Sequence, residues 1–418
     1  MLSFMQSDSE IYQLLCSEIE RQKNGINLIA SENYTSNNIL MATGSILTNK
    51  YAEGYPKSRY YSGCDIYDKI ESIAIKRAMS LFNAEHANVQ AHSGSNANLG
   101  VYFSVLKPGD TIMAMNLDHG GHLTHGSRVN CSGKIYNVIS YGVSAEDGLI
   151  DYDLAYDLAK KHNPKLIVVG ASSYPRTINF EKFAEIAKIN NSFYMADIAH
   201  IAGLVATKLH PSPFPHVDFA TSTTHKTLRG PRGGIILSKL KYKKRIDKSI
   251  FPGLQGGPLM HAIAAKAVCF NEANSEMFYN YQKQVLANAL ALSDSLKKNG
   301  FHLLTGGTDT HMLLIDVSKL HMTGDECQKK LENINIYVNK NKIPYDKNSA
   351  LVTSGIRIGT PAITTQGMKE IDMVNIADII TNCLYSRKTE DVLKREVLQL
   401  SINYENKFIK EYCKTLKI

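Results

Sequence analysis

The sequence contains no tryptophan, and its seven cysteines are scattered singly along 418 residues. An odd number of cysteines without paired spacing argues against both a disulfide framework and a zinc ribbon. No run of about 18 apolar residues occurs, so no transmembrane helix is predicted. The first residues become acidic at Asp8 and Glu10 before any apolar segment, so no signal peptide is predicted either. Together these absences predict a reduced, cytoplasmic protein without a membrane partner.

An excess of charge of one sign is also modest. Lysine and arginine number 47 and aspartate and glutamate 39, which gives a formal charge of +8. That excess suits an anionic small molecule as well as a nucleic acid. The densest basic run, residues 239–248, is interpreted mainly as a solvated face. No RNA-recognition motif accompanies it, so nucleic acid is not an expected partner.

The pattern of apolar residues predicts an α/β chain of two to four structural units, at roughly 100–200 residues each. Short apolar strands alternate with helices in the first half, which is typical of a mostly parallel sheet. The predicted strands are Ala87–Ala91, Thr111–Met115, Ile135–Tyr141, Leu166–Ala171, Phe193–Ala196, Val217–Thr221 and Gly234–Leu237. A long helical pattern over 259–299 follows. A smaller α+β unit is then predicted from strands at Met312–Val317 and Gly355–Ile358 and helices at Gly324–Asn333 and Thr365–Leu384.

Asp197 and Lys226 each follow an apolar strand of the predicted sheet. In open α/β sheets the ligand crevice lies beyond the carboxyl ends of the strands, so both charges are expected at that edge. A buried salt bridge is the simplest explanation of such a pair. The alternative is pyridoxal phosphate, whose aldehyde takes a lysine of lowered pKa and whose ring nitrogen pairs with a carboxylate.

A third requirement of that cofactor is a phosphate cradle. Ser93, Gly94 and Ser95 precede a helix predicted over Asn96–Leu106, and free N–H groups at a helix start bind anions. A plain helix cap by Ser93 or Ser95 stays open as an alternative. Neither a Walker A lysine nor a G-x-G-x-x-G fingerprint occurs, which disfavours a nucleotide.

Three histidines lie within seven residues, at His119, His122 and His125. They invite a metal hypothesis, but no cysteine or clearly placed fourth ligand joins them, so no metal is predicted. An imidazole lying flat on a pyridine ring fits better, because the flanking glycines allow close approach of the backbone.

The same segments resemble the serine hydroxymethyltransferase family, pyridoxal-phosphate enzymes of fold type I, the aspartate-aminotransferase-like fold. The resemblance runs from about Leu28 to about Ile363. It rests on Leu28–Ser36, Thr48–Pro56, His92–Ser95, Leu117–Gly126, Asp197–His200, Thr223–Thr227, Gly230–Gly234, Phe251–Pro258 and Thr353–Ala362. It implies an α/β fold class, with a large, mostly parallel sheet domain and a small C-terminal α+β domain. The predicted units are an arm over 1–60 that contributes to a dimer, a cofactor domain over 61–275 and a small domain over 276–418.

The resemblance implies a role for each matching position around the cofactor. Lys226 would hold pyridoxal 5′-phosphate covalently, Asp197 would pair with the ring nitrogen, and His122 would stack on the ring. Thr223 and His225, which flank the lysine, join the catalytic set. The remaining cofactor contacts would come from Ser93, Gly94, Ser95, Ser172 and His200, and from Gly256 and Gly257 of the neighbouring subunit.

The implied reaction moves the hydroxymethyl carbon of serine reversibly to tetrahydrofolate, giving glycine and methylene-tetrahydrofolate. Arg357 would clamp the substrate carboxylate, because its planar fork suits that group, and Ser31 would add a hydrogen bond. Glu53 would transfer a proton across a homodimer interface, accompanied by Tyr51, Tyr60 and Tyr61. The folate site would comprise Glu53, Tyr60, Leu117, Gly121, His122, Leu123 and Asn341.

Two other fold-type I activities stay open at this point, a threonine-aldolase-like lyase and a cysteine desulfurase. A desulfurase has no use for the arm of Tyr51 and Glu53, and its mobile cysteine could only be Cys327. Leu351 departs from the family, because a phenylalanine is common there near the folate. The basic run at 239–248 gains a second interpretation, attraction of a folate's glutamate tail.

Overall fold

The structure, a computed structural model, describes residues 7–404 and 407–416. Its strands are β1 Ile26–Asn27, β2 Gly54–Tyr55, β3 Ser58–Arg59, β4 His86–Asn88, β5 Thr111–Met115, β6 Asn137–Tyr141, β7 Leu166–Val169, β8 Phe193–Asp197, β9 Phe219–Thr223, β10 Gly234–Ser238, β11 His302–Leu303, β12 Met312–Asp316, β13 Ile336–Tyr337, β14 Asn339–Asn341 and β15 Gly355–Gly359.

The helices surround two sheets. They are α1 Ser9–Asn24, α2 Asn37–Thr43, α3 Asp65–Phe82, α4 Gly94–Val105, α5 Cys131–Ile135, α6 Tyr152–His162, α7 Phe180–Ile189, α8 Ala202–Ala206, α9 Lys243–Lys248, α10 Met260–Ala273, α11 Glu276–Lys298, α12 Gly324–Asn333, α13 Pro361–Gln366, α14 Glu370–Leu384, α15 Glu390–Asn403 and α16 Lys407–Leu416. None of the helices in the described part of the chain is both long and apolar enough to cross a membrane.

The larger sheet has seven strands in the order β4-β10-β9-β8-β7-β5-β6. Only β10 of this sheet runs antiparallel to its neighbours, β4 and β9. Helices cover both faces of this sheet, so its inner strands are largely buried, and all four side chains of β7 are both apolar and buried. This arrangement confirms the predicted α/β fold class. The carboxyl ends of β8 and β9 lie side by side, with Asp197 in register with Thr221.

The smaller sheet is antiparallel, in the order β11-β12-β15-β14. It has its own apolar core, in which Ile315 and Ile356 from the sheet pack with Ile376 and Ile380 of α14. The short strand β1 pairs in parallel with β13, so Ile26 belongs to this second core although it precedes the large sheet in the sequence.

Several element predictions were wrong in detail; the strand predicted at Ala87–Ala91, for example, is His86–Asn88. The helical pattern over 259–299 is two helices, because Ser275 caps α11 by accepting a hydrogen bond from the Phe278 amide. The helix predicted over Thr365–Leu384 is interrupted at Gly367, whose φ of 109° is left-handed. The strand predicted at Val217–Thr221 lies two residues later, because its last residues, Ser222 and Thr223, are polar but buried.

Candidate active site

A cavity of about 200 Å³ opens at the carboxyl ends of β8 and β9. We call it the lysine cavity. It brings together ten of the predicted site residues from five separate stretches of sequence. Those residues are Ser93, Gly94, Ser95, His122, Ser172, Asp197, His200, Thr223, His225 and Lys226. The sheet topology explains the meeting, because parallel strands deliver the loops that follow them to one edge.

The Asp197 carboxylate is held by three donors inside the cavity. Asn98 Nδ2 donates to its Oδ2 at 2.8 Å, His125 Nε2 lies 3.0 Å from the same oxygen, and the Ala199 amide donates to Oδ1 at 3.1 Å. Burial by itself raises the pKa of Asp197. The hydrogen bond and charge of His125, with smaller contributions from His122 and Asn98, outweigh it and hold that pKa well below its usual range. The carboxylate is therefore ionised at neutral pH.

Lys226 lies three residues beyond the carboxyl end of β9, at the same edge of the sheet as Asp197. Its pKa is lowered to about 8, chiefly by burial, while the charge of Asp197 opposes the shift and Arg357 adds to it. A measurable fraction of this amine is therefore unprotonated near neutral pH. Such an amine can attack a carbonyl, which an ordinary surface lysine does poorly.

Two neutral histidines face the lysine. Burial lowers the pKa of His122 to about 4 although Asp197 opposes it, and burial lowers that of His225 to about 3. The His122 Nδ1 lies 2.7 Å from the Thr124 hydroxyl, which fixes the orientation of the ring. A neutral, oriented imidazole suits stacking on an aromatic ring.

The start of α4 lies at one end of the cavity, where Ser93, Gly94 and Ser95 line it. Ser93 caps the helix by accepting a hydrogen bond from the Asn96 amide at 3.2 Å. A Cβ built on Gly94 would lie 2.7 Å from Thr223 Cγ2, so only glycine fits this turn. A cap at Ser93 does not exclude anion binding, because the other first amides of the helix have no partners within it.

Arg357 lies on β15 and connects the smaller sheet with the lysine cavity. Its Nη1 donates to the Ser172 carbonyl and its Nε to Asn339 Oδ1 at 3.1 Å. Burial lowers the pKa of Arg357 to about 10. Next to it, the rings of His200 and His311 stack at 5.6 Å between centroids. Ser31 does not line the lysine cavity but a neighbouring one of about 680 Å³, which His225 also lines.

The predicted folate residues divide between two places. Leu117 and Leu123 are exposed near the lysine cavity, while the Gly121 backbone packs so closely on Met115 that no side chain would fit. Asn341 reaches this region from the smaller sheet, where its Nδ2 donates to the Ser173 hydroxyl at 3.2 Å. Tyr60 and Glu53 lie elsewhere.

Six predicted site residues gather in a second group, which we call the aromatic cluster: Tyr51, Glu53, Tyr60, Tyr61, Gly256 and Gly257. None of them lines the lysine cavity of their own chain. The rings of Tyr51 and Tyr61 stack at 5.4 Å, and a Cβ built on Gly257 would lie 2.9 Å from the Tyr51 ring. A Cβ on Gly256 would lie 3.2 Å from Glu53 Oε1. All three tyrosines are exposed.

Sequence reasoning missed two residues of the site, Asn98 and His125. Thr221 Oγ1 donates to Asn98 Oδ1 at 2.6 Å, which leaves the amide nitrogen facing Asp197. One signal existed in the sequence, since Asn98 lies one helical turn beyond the Ser93–Ser95 stretch and His125 lies three residues after His122. Across residues 7–404 and 407–416, no group of three histidine, cysteine or acidic side chains could hold a metal ion.

The site has the groups that pyridoxal phosphate requires: an activated lysine, an ionised carboxylate, a neutral imidazole and an anion-binding helix start. Comparison with known families agrees with this chemistry. The profile of the serine hydroxymethyltransferase family matches residues 4–380, most of the chain. The chain therefore belongs to the serine hydroxymethyltransferase family, pyridoxal-phosphate-dependent transferases of one-carbon metabolism with fold type I.

Proposed function

We propose that this chain transfers the hydroxymethyl carbon of serine reversibly to tetrahydrofolate, giving glycine and methylene-tetrahydrofolate. In this proposal pyridoxal 5′-phosphate is bound covalently to Lys226. The observation that carries the proposal is the meeting of Lys226, Asp197 and His122 around one cavity that ends in the Ser93–Ser95 turn. The family membership supports the reaction class.

The bound cofactor would supply an electron sink for the bond broken at the substrate α-carbon. The residues around it have matching tasks. Asp197 is ionised, so it would keep a proton on the ring nitrogen. The lowered pKa of Lys226 provides a free amine for bonding to the cofactor and for moving a proton at the α-carbon. His122 would cover one face of the ring, and Ser93, Gly94 and Ser95 would hold the phosphate.

Arg357 would orient the amino acid by its carboxylate. Its Nε and Nη1 already donate to Asn339 and to the Ser172 carbonyl, which leaves Nη2 for an incoming acceptor. These two contacts fix the plane of the guanidinium, so the carboxylate meets a preorganised group. Ser31, on the neighbouring cavity, would complete this contact, and Ser172 and His200 would line the cofactor side.

The active site would be shared within a homodimer. The tyrosines of the aromatic cluster are exposed and do not line the lysine cavity of their own chain, so the cluster would serve the cavity of a second copy. There Glu53 would transfer a proton near the substrate hydroxyl, and Gly256 and Gly257 would reach the phosphate. An arm over 1–60, a cofactor domain over 61–275 and a small domain over 276–418 form part of this proposal. The separate apolar cores of the larger and smaller sheets support the last two units, while Ile26 and Leu28 of the arm pack into the core of the smaller sheet.

Folate would bind beside Leu117, Gly121, Leu123 and Asn341, with Glu53 and Tyr60 of the second copy. The loop next to these residues packs through Lys342, whose ammonium lies 2.7 Å from the Asp118 carboxylate. Leu351, where the family commonly has phenylalanine, is 77% exposed and so is free to meet a ligand.

All seven cysteines are unpaired thiols, which supports a reducing, cytoplasmic setting.

A cysteine desulfurase is the less favoured activity. Its chemistry needs a mobile, reactive thiol, and Cys327 is instead buried within α12. Burial raises the pKa of the Cys327 thiol to about 12, so it is not a thiolate at neutral pH.

One experiment tests the proposal at two levels. Purified protein is incubated with serine labelled at the β-carbon and tetrahydrofolate, and we expect the label to appear in methylene-tetrahydrofolate. Borohydride reduction followed by peptide mass spectrometry should place the cofactor on Lys226. A folate-independent release of acetaldehyde from threonine, without transfer from serine, would instead identify a lyase. A cofactor on another lysine would overturn the site.

A further inference from the structure

Lys266, on α10, is a buried lysine that the proposed reaction does not use. Its side chain is 2% exposed. Its Nζ donates three hydrogen bonds to backbone carbonyls, at 2.7 Å to Val89, 3.0 Å to Ala91 and 2.9 Å to Gly234. Three acceptors match the three protons of an ammonium group, one for each. Burial lowers the pKa of Lys266 to about 7 and Glu71 opposes that shift, while the three carbonyls favour the charged form.

These three carbonyls belong to the backbone on which the phosphate turn rests. Val89 and Ala91 lie in the segment that runs from β4 directly into Ser93, and Gly234 begins the neighbouring strand β10. Gly234 also donates its amide to the Ala91 carbonyl at 3.0 Å. A Cβ built on Gly234 would overlap with the carbonyl oxygen of Ser93. A single residue, Gly234, therefore separates the Lys266 ammonium from the turn.

The same segment is held independently by Gln255. The His92 amide donates to Gln255 Oε1 at 3.0 Å, and Gln255 Nε2 donates to the Gln90 carbonyl at 2.9 Å. Alternate residues of 89–92 are thus fixed by two side chains. Among the described residues, no carboxylate forms a salt bridge with Lys266. The aliphatic part of the Lys266 side chain packs directly on Gly233. A Cβ built on Gly233 would lie only 2.5 Å from Lys266 Cε, so the glycine makes room for the lysine.

We propose that Lys266 is a positioning residue for cofactor phosphate: it ties the 89–91 segment to β10 and holds the Ser93–Ser95 turn in its anion-binding shape. This inference rests on the proposed function, in which that turn binds the phosphate of pyridoxal phosphate. Lys266 itself does not touch the ligand. In its ammonium form, Lys266 places a positive charge behind the turn, which adds to the attraction for an anion.

The test compares two ligands that differ only in the phosphate. The full chain is freed of cofactor, and the dissociation constants of pyridoxal 5′-phosphate and of pyridoxal are measured by absorbance. The dissociation constant of pyridoxal divided by that of pyridoxal 5′-phosphate reports the contribution of the phosphate alone. We expect Lys266→Met to lower that ratio about tenfold, as the loss of charged hydrogen bonds behind the turn would. Lys266→Gln keeps two N–H donors without the charge, so its ratio should lie between those of the wild type and Lys266→Met.

Three further variants keep the test decisive. Asn288→Leu removes a buried amide that bonds to Thr364 and Met368 in the smaller unit, so it controls for lost stability and should leave the ratio unchanged. Ser95→Ala tests the turn itself. A wild-type ratio in both Lys266 variants with a lowered ratio in Ser95→Ala would overturn the role of Lys266 only. A wild-type ratio in Ser95→Ala as well would overturn the phosphate assignment.

A fallback variant applies if the Lys266 variants do not fold. Gly233→Ala displaces the side chain of Lys266 and must then lower the ratio. An unchanged ratio would contradict the inference.

Discussion

The lysine cavity and the aromatic cluster differ in how far a single chain completes them. In the cavity, Asp197 is met by three donors, and beside the cavity Arg357 is met by two acceptors, all within the chain. In the aromatic cluster the side chains of Tyr51 and Tyr60 are 61% and 75% exposed. Buried polar groups need hydrogen-bond partners within the fold, whereas exposed aromatic rings are available for contact with another surface. In the proposed homodimer, most of the cofactor site would be preorganised within one chain, and closure around the substrate would depend on the other.

The largest expected effect separates the two regions by subunit mixing. Lys226→Ala and Glu53→Gln should each be inactive as pure dimers, because each lacks one half of both sites. A mixed dimer has one site with both residues intact. Equal mixing with exchange of subunits should therefore restore about one quarter of the wild-type activity, from random pairing in a two-fold dimer. Activity measured before and after exchange checks this. If mixing restores nothing, the site is contained in one chain.

A smaller loss is expected from within the lysine cavity. Asp197→Asn removes the charge that would hold the proton on the cofactor ring, and we expect kcat to fall on the order of 10²–10³-fold, as for other preorganised charges. Steady-state kinetics with saturating serine measures it. Asp218→Asn is the matched control, since Asp218 bonds to Lys239 and to the Tyr194 amide outside the cavity. Equal effects of both variants would argue against the role of Asp197.

Ile46, in the predicted arm and five residues before Tyr51 of the aromatic cluster, is 81% exposed. Ile46→Asp should weaken the dimer about 10- to 100-fold, because a charge would be buried in the contact. Sedimentation velocity over a concentration series measures the dissociation. Ile402→Asp changes an isoleucine that is 59% exposed on α15 and should leave the dimer intact. A dimer unaffected by Ile46→Asp would place the contact elsewhere.

The smallest expected effect is a shift in the titration of Lys226. In cofactor-free protein, its reactivity with an amine-directed reagent should rise with pH around a midpoint of about 8. Burial favours the neutral amine and Asp197 favours the ammonium, so Asp197→Asn should move the midpoint to lower pH. Mass spectrometry of the Lys226 peptide across a pH series follows this. A midpoint that stays the same or rises in the variant would mean that the two groups do not interact.

Much of the large domain followed from local pattern. The strand at Thr111–Met115 occurs as predicted, because a run of apolar residues acts over a short distance. The break between α10 and α11 was missed because it depends on one serine inside an otherwise helical pattern. Fold type I, the enzyme class and the family were confirmed.

The sequence by itself determined the chemical groups and their local settings: a lysine and an aspartate each beyond a strand, a Ser-Gly-Ser turn before a helix, and histidines among glycines. Only the tertiary structure decided their partners. The hydrogen bonds of Asn98 and His125 to Asp197 span 99 and 72 residues, and those of Lys266 span up to 177. Such contacts depend on strand order and helix packing, which no local pattern contains. Strand order and helix packing also decide that the lysine cavity is lined by residues of one chain while the aromatic cluster stays exposed.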